Sequence, residues 1–394
     1  MFRSGPSHSG AGTGSSVLTP TLLWNYTTGG AIGSSPAVVG GVVYIGSYDG
    51  KVYALNANNG VELWNYTVGN NVESSPAVVD GVVYIGSEVA TGLNGNYFGI
   101  VYALNATNGD KLWNYTTGNY YNYVDSSPTV VGGVVYVGSS EGITPKPPTS
   151  ATLGSVYALN ATDGAKLWNY TVASNVDSSP AVVGGVVYVG SGNGNVYALN
   201  ASSGGKLWSY PTHGWVVSSP AVVGGVVYVG SFDSKVYALN ATNGEKLWIY
   251  TTGGPVYSSP AVVKKVIYVG SLNGNVYALN ATNGDKLWNY TTGGTQSSPA
   301  VVGNVVYIGS ISGFYALNAT DGAKLWNYAT GSTLSSPAVV GGVVYVGSYN
   351  DNVYALGIPY RSSNTSLIII EVIAVVVVIA TVVFLTLRKR LKTK

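Results

Sequence analysis

The chain has no cysteine, one methionine and two histidines, His8 and His213, among its 394 residues. Without cysteine there are no disulfides, thiolate nucleophiles or thiolate-bound metals, and the redox compartment stays open. Charge is scarce as well: Asp, Glu, Lys and Arg make up 9% of the chain, with a formal balance of +2. That surplus is local, because Arg388, Lys389, Arg390, Lys392 and Lys394 crowd the C-terminus while residues 1–366 carry more acid than base. No basic face can neutralise phosphates, so nucleic acid is not expected as a partner. The acids are scattered singly in turns, whereas general acid–base chemistry needs two titratable groups held together. The sequence therefore nominates no catalytic residue, no cofactor and no metal ligand. Its many Asp-Gly and Asn-Gly pairs suit hairpin turns better than calcium loops.

What the chain has in abundance is glycine, 54 residues, and tyrosine, 32 residues, which belong to turns and strands rather than helices. They fall into one repeated phrase: Ser-Ser-Pro, then Val-Val-Tyr-Ile/Val-Gly-Ser, then Tyr-Ala-Leu, then Leu-Trp. The Ser-Ser-Pro word starts at Ser34, Ser74, Ser126, Ser178, Ser218, Ser258, Ser297 and Ser335, most often 40 residues apart. Short β-type words at that period signal a propeller or another repeat array. Each phrase supplies four strands. Proline sits where its missing N–H is tolerated, and tight glycine or Asn-Gly turns separate the strands.

The ends of the array decide its architecture. The chain opens on a lone fourth word around Trp24 and closes on three words, residues 335–356, with no fourth. Together they complete one blade, and closure removes the unpaired edge that an open stack would expose. The expected fold is all-β: an eight-bladed propeller of four-stranded antiparallel blades over residues 22–358, closed by the N-terminal strand joining the last blade. A flexible segment, residues 1–21, would precede it.

The third and fourth words share the pattern Ala-x-Asn-x-x-x-Gly-x-x-x-Trp, as in Ala54, Asn56, Gly60 and Trp64, or Ala278, Asn280, Gly284 and Trp288. The pattern recurs in register seven times and breaks at Gly357 in the eighth copy. It resembles the tryptophan-docking motif of the pyrroloquinoline-quinone-type propellers, the family of quinoprotein alcohol dehydrogenases and the assembly lipoprotein BamB. The resemblance implies that Trp24, Trp64, Trp113, Trp168, Trp208, Trp248, Trp288 and Trp326 pack between adjacent blades. The family holds both enzymes and scaffolds. Its dehydrogenases use an Asp base, a Glu/Asn/Asp calcium site and an adjacent cysteine pair, and the missing cysteines favour a scaffold.

After a linker, residues 359–366, the run 367–387 is apolar apart from Glu371 and long enough to span a bilayer as one helix. The basic tail, residues 388–394, places the C-terminus in the cytoplasm and the ring outside. Residues 1–21 lack the apolar stretch of a secretory signal, so either the true start is expected upstream of Met1 or the signal is missing from this sequence.

Twelve Asn-x-Ser/Thr sequons occur. In the Ala-Leu-Asn set the turn already demands Asn. In Asn25, Asn65, Asn114, Asn169 and Asn289 the Asn alternates with inward Trp and Tyr, which makes these five the glycosylation candidates.

Departures from the repeat are where a ligand would be read. Residues 87–99 are inserted in the second copy, with Tyr97 and Phe98. The connection from Trp113 to Ser126 is lengthened and carries Tyr120, Tyr121 and Tyr123. Residues 139–155 are inserted in the third copy. In a four-stranded blade these loops emerge on one face, and Trp215, the tryptophan outside the docking set, reaches the same face. Loops on a rigid scaffold carry binding, and tyrosines suit peptides or glycans. The sequence thus reads as a monomeric, non-enzymatic cell-surface propeller binding protein or glycan, held in the bilayer by one helix. The alternatives are an envelope assembly scaffold resembling BamB and, behind it, a quinone-dependent dehydrogenase.

Overall fold

The computed structural model describes residues 5, 7–12, 15–91, 96–118, 122–141 and 153–357. These form eight antiparallel sheets. Blades 1 to 7 fall within residues 37–67, 77–117, 122–172, 181–211, 221–251, 261–291 and 300–328. Blade 8 joins residues 338–357 to the strand Leu22–Thr27, which pairs along Asn352–Gly357. Among the described residues no helix is long and apolar enough to cross a membrane. The segment 367–387 lies outside them.

Each blade starts at the axis with a three-residue strand such as Ala37–Val39. The turn Gly40-Gly41 has φ of 59° and 78°, a left-handed pair that two-residue hairpins favour and glycine adopts without strain. The turn sets the register Val39↔Val42, Val38↔Val43. Pairs alternate between bonded and non-bonded along such a ladder, so the middle valine directs its N–H and C=O towards the axis.

Two aromatic seams join the blades. The indole N–H of seven of the eight docking tryptophans donates to a carbonyl of the next blade at 2.9–3.0 Å, from Trp24 to Ala57 through Trp288 to Ala319. A tyrosine from the second strand donates to the same carbonyl, as Tyr44 and Trp64 both do to Ala106. The motif glycine is where the indole lies: a Cβ on Gly60, at φ +72°, would stand 2.6 Å from Trp24 Cε3. Further out, Tyr26–Tyr53 and Tyr66–Tyr102 pair across blade boundaries, with centroids 5.7 and 6.4 Å apart.

The two serines of Ser-Ser-Pro have separate tasks. The first accepts the Gly N–H of its own second strand, as Ser178 does from Gly190 at 3.0 Å. The second accepts the backbone N–H of its counterpart in the preceding blade. The bonds run Ser35→Ser75→Ser127→Ser179→Ser219→Ser259→Ser298→Ser336→Ser35, each 2.9–3.0 Å, and close a belt round the axis.

The N-terminal segment departs from the flexible lead-in expected over residues 1–21. Its described residues enter the channel, where the backbone carbonyls of Ser7, Ser9 and Gly10 accept from Val222, Val262 and Val301. His8 is fully buried, its Nε2 3.1 Å from Thr129 Oγ1. The chain then leaves between blades 7 and 8, where the Val17 carbonyl accepts from Trp326 and Tyr307. The physical reason is that blade 8 has no Asn-Ala turn after Gly357, and the carbonyl that seven seams take from alanine must come from elsewhere.

Candidate functional site

The residue before each Ser-Ser word sits where the connection from the preceding blade turns into the axis. In order these are Gly33, Glu73, Asp125, Asp177, Val217, Tyr257, Gln296 and Leu334. With the serine belt below and Tyr48 and Tyr349 above, they line a cavity of about 170 Å³ at one mouth of the channel. Three consecutive blades therefore bring carboxylates to one side of it. Acids that the sequence shows as isolated are neighbours once the ring closes.

The mouth acids differ in their partners. Ser140 Oγ donates to Asp177 Oδ1 at 2.5 Å, and the Tyr48 hydroxyl donates to Glu73 Oε1 at 2.5 Å. Tyr48 also meets Tyr349, hydroxyl to hydroxyl at 2.9 Å, with the rings edge to face. Asp125 accepts no hydrogen bond among the described residues. Burial pushes its carboxyl well above the usual range, and Glu73, Asp177 and Glu88 push the same way. Burial raises Asp177 too, with the Ser140 hydrogen bond opposing and Glu73 adding to the rise. Burial, then Glu73, raises Glu88. Like charges in a partly desolvated ring disfavour ionisation, and a cation placed there would relieve them.

The loop residues nominated from sequence divide. The inserted stretch of blade 2 extends its hairpin, Val82–Thr91 against Asn96–Asn105, and Tyr97 on it is exposed while Phe98 is half-buried. The lengthened connection contributes a strand, Asn122–Tyr123, which pairs with Val134–Glu141 and lies against the blade 2 hairpin. This gives blade 3 a fifth strand where four were expected. Tyr123 on it points inward: its hydroxyl accepts from Asn175 Nδ2 at 2.7 Å, and burial followed by Asp177 and Asp125 raises its pKa. Tyr120 and Tyr121 lie outside the described residues. Trp215 is 62% exposed and packs at a tilt against Phe232, which meets Tyr257 in turn. It thus belongs to blades 5 and 6, across the mouth from the hairpins of blades 2 and 3. It shares their face but not their sector.

Asn25, Asn65, Asn114, Asn169 and Asn289 are all exposed on outer strands. The other sequon set makes turns instead: Asn105, Asn240 and Asn280 each accept the N–H two residues on at 2.8 Å, as Asx turns do.

A family model described as outer membrane protein assembly factor BamB matches residues 16–145 and 152–359. The chain belongs to this family. No curated protein matches the sequence. Among solved structures, BamB from Moraxella catarrhalis aligns with a TM-score of 0.68 at 18% identity, over 86% of this chain and all (100%) of that one. A europium-containing methanol dehydrogenase aligns with a TM-score of 0.74 at 14% identity, over 91% of this chain and 97% of that one. The computationally designed Ika8 protein aligns with a TM-score of 0.71 at 17% identity, over 86% and 100%. At such identities the likeness is one of fold, and an assembly factor, an enzyme and a design share it.

Proposed function

We propose that the protein is a non-enzymatic binding scaffold, anchored by residues 367–387 with its ring outside the cell, that takes a protein partner across the channel-mouth face. The observation that carries this reading is the break in repeat regularity. The extended hairpin of blade 2 and the added strand of blade 3 stand together beside the mouth that Glu73, Asp125 and Asp177 line. The hairpin offers an exposed rim and the mouth offers negative charge, a pairing that suits a partner presenting Lys or Arg. A glycan would use the exposed Trp215 instead, through ring stacking.

The family match favours a related reading, that the partner belongs to an outer-membrane assembly machinery. A quinone-dependent dehydrogenase is less favoured. The mouth cavity, about 170 Å³, is below the roughly 300–1,000 Å³ of small-molecule sites, and the cavity of about 310 Å³ beyond the serine belt is lined by Gly, Ser, Pro, Ala and Val, with no titratable side chain.

Photo-crosslinking tests the proposal. A photoreactive residue at Tyr97 in the full-length protein, expressed in its host, should give a discrete protein adduct. The adduct should fade in a Glu73→Gln/Asp177→Asn background and in 0.5 M salt. An equal adduct from Thr242, on the opposite face, or one indifferent to both changes, would reject this face as the binding surface.

A further inference from the structure

On the far side of the serine belt the described residues of the N-terminal segment fill about half of the channel. The N-terminal segment pairs with the innermost strands of blades 5, 6 and 7, as Val222, Val262 and Val301 donate to Ser7, Ser9 and Gly10 at 2.9, 2.7 and 3.0 Å, and Gly12 donates back to Val301. A cavity of about 310 Å³ remains between this segment and blades 7, 8, 1 and 2. Its wall repeats the same edge. Val38 and Val339 in that wall, and Val78 two residues beyond Pro76 at its margin, occupy the position of Val222, and the same hairpin register turns their N–H and C=O to the axis. None of the three N–H groups has a protein hydrogen bond among the described residues. An unpaired strand edge is a template for another extended chain.

We propose that this half of the channel is a second binding site, which takes an extended peptide of small residues (glycine, alanine or serine) whose carbonyls accept the inward N–H groups of blades 8, 1 and 2 in turn, as Ser7, Ser9 and Gly10 accept those of blades 5, 6 and 7. The chemistry of the ligand follows from the segment already seated next to it. After His8, Ser9, Gly10, Ala11 and Gly12 lie against the same kind of edge, and at Gly12 a Cβ would stand 2.4 Å from Val302 Cγ2, so close approach of a backbone to this edge favours small residues. The volume equals on the order of ten waters, the space of a few such residues. This site lies below the belt, and its occupation does not depend on the mouth acids.

The probe is an acetylated, fluorescein-tagged hexapeptide of alternating glycine and alanine, titrated into full-length protein in detergent. Its anisotropy should rise to saturation, while a tagged peptide of alternating glutamate and lysine should not bind. Val38→Ala keeps the N–H and should bind within about twofold of the native protein. Val38→Pro removes one N–H outside the hairpin ladder and should weaken binding roughly three- to tenfold. Hydrogen exchange on the unmodified protein provides a readout independent of any variant: peptide should slow exchange within 37–39 and 338–340 and leave 221–223 unchanged. The proposal is overturned if anisotropy stays flat, if Val38→Pro binds like Val38→Ala, or if exchange speeds up within 221–223 and 261–263, which would mean that the peptide displaces the N-terminal segment.

Discussion

The indole N–H of Trp326 donates to the carbonyl of Val17 at 3.0 Å, joining residues 309 apart in the chain. Seven other seams make this bond to an alanine in the next repeat. Here a segment lying before the first strand supplies it, so the ring is closed twice: by Leu22–Thr27 within blade 8 and by Val17 between blades 7 and 8.

Removing residues 1–18 should therefore destabilise the ring although every blade strand is kept. Trp326 and Tyr307 are buried and both bond Val17. Each donor left unpaired costs about 1–3 kcal/mol. Val17→Ala keeps the carbonyl and loses two methyl groups, for about 1–2 kcal/mol. Thermal unfolding should rank native, Val17→Ala and the truncation in that order. A truncation no worse than Val17→Ala would show that the carbonyl is not what closes the seam.

The belt predicts unequal roles for adjacent serines. Ser219→Ala leaves the Ser179 N–H without its acceptor and should cost about 1–3 kcal/mol. Ser218→Ala removes two bonds, the one accepted from Gly230 and the one donated to the Ser258 carbonyl, and should cost more than Ser219→Ala. Denaturant midpoints of the two variants measured side by side decide the matter, and equal midpoints would contradict the division of labour.

Glycines of similar backbone angle should respond very differently to alanine. Gly224 has φ +60° with no atom within 4 Å of where a Cβ would stand, whereas a Cβ on Gly284, at φ +79°, would meet Trp248 Cε3 at 2.6 Å. Gly224→Ala should cost about 1–2 kcal/mol for the left-handed backbone alone. Gly284→Ala adds a clash with a packed ring and should cost at least about 1 kcal/mol more. Urea unfolding provides the comparison. Matching losses would mean that the indole yields freely.

The fold can be read in the sequence because the same local instructions recur about every 40 residues, and because the split first and last copies admit one closure. The seam glycines can be read for the same reason. Val17 cannot, since the hydrogen bonds that close the seam come from its backbone carbonyl and N–H, which almost any residue type can supply. The mouth is hidden differently. Glu73, Asp125 and Asp177 are 52 residues apart in turn, each beside a conspicuous Ser-Ser-Pro word. Their proximity exists only once the ring brings equivalent positions to one axis. Tracking the residue before each repeat word, instead of the words themselves, would expose it. Tyr123 reads as an exposed contact in the sequence because nothing local signals that its connection pairs as an extra strand and turns the ring inward.

The mouth should make stability fall as pH rises through the acid range. Asp125 in the folded protein is held well above its ordinary value of 3.8, so the folded state keeps this proton more tightly than the unfolded chain does. Ionisation then costs stability. That cost is absent near and below pH 3.8, grows as pH rises above it, and is complete once pH exceeds the raised value. Asp177 and Glu88, also raised, act in the same direction. Asp125→Asn removes one charge from the group without changing its shape. At pH 7 the variant should unfold about one to three degrees higher than the native protein, and the gap should shrink as pH falls towards 4. Melting curves across that range test it directly. A variant that melts lower at pH 7 would mean that the Asp125 carboxylate is stabilised by a cation, and the mouth would then be a site already filled in the isolated protein.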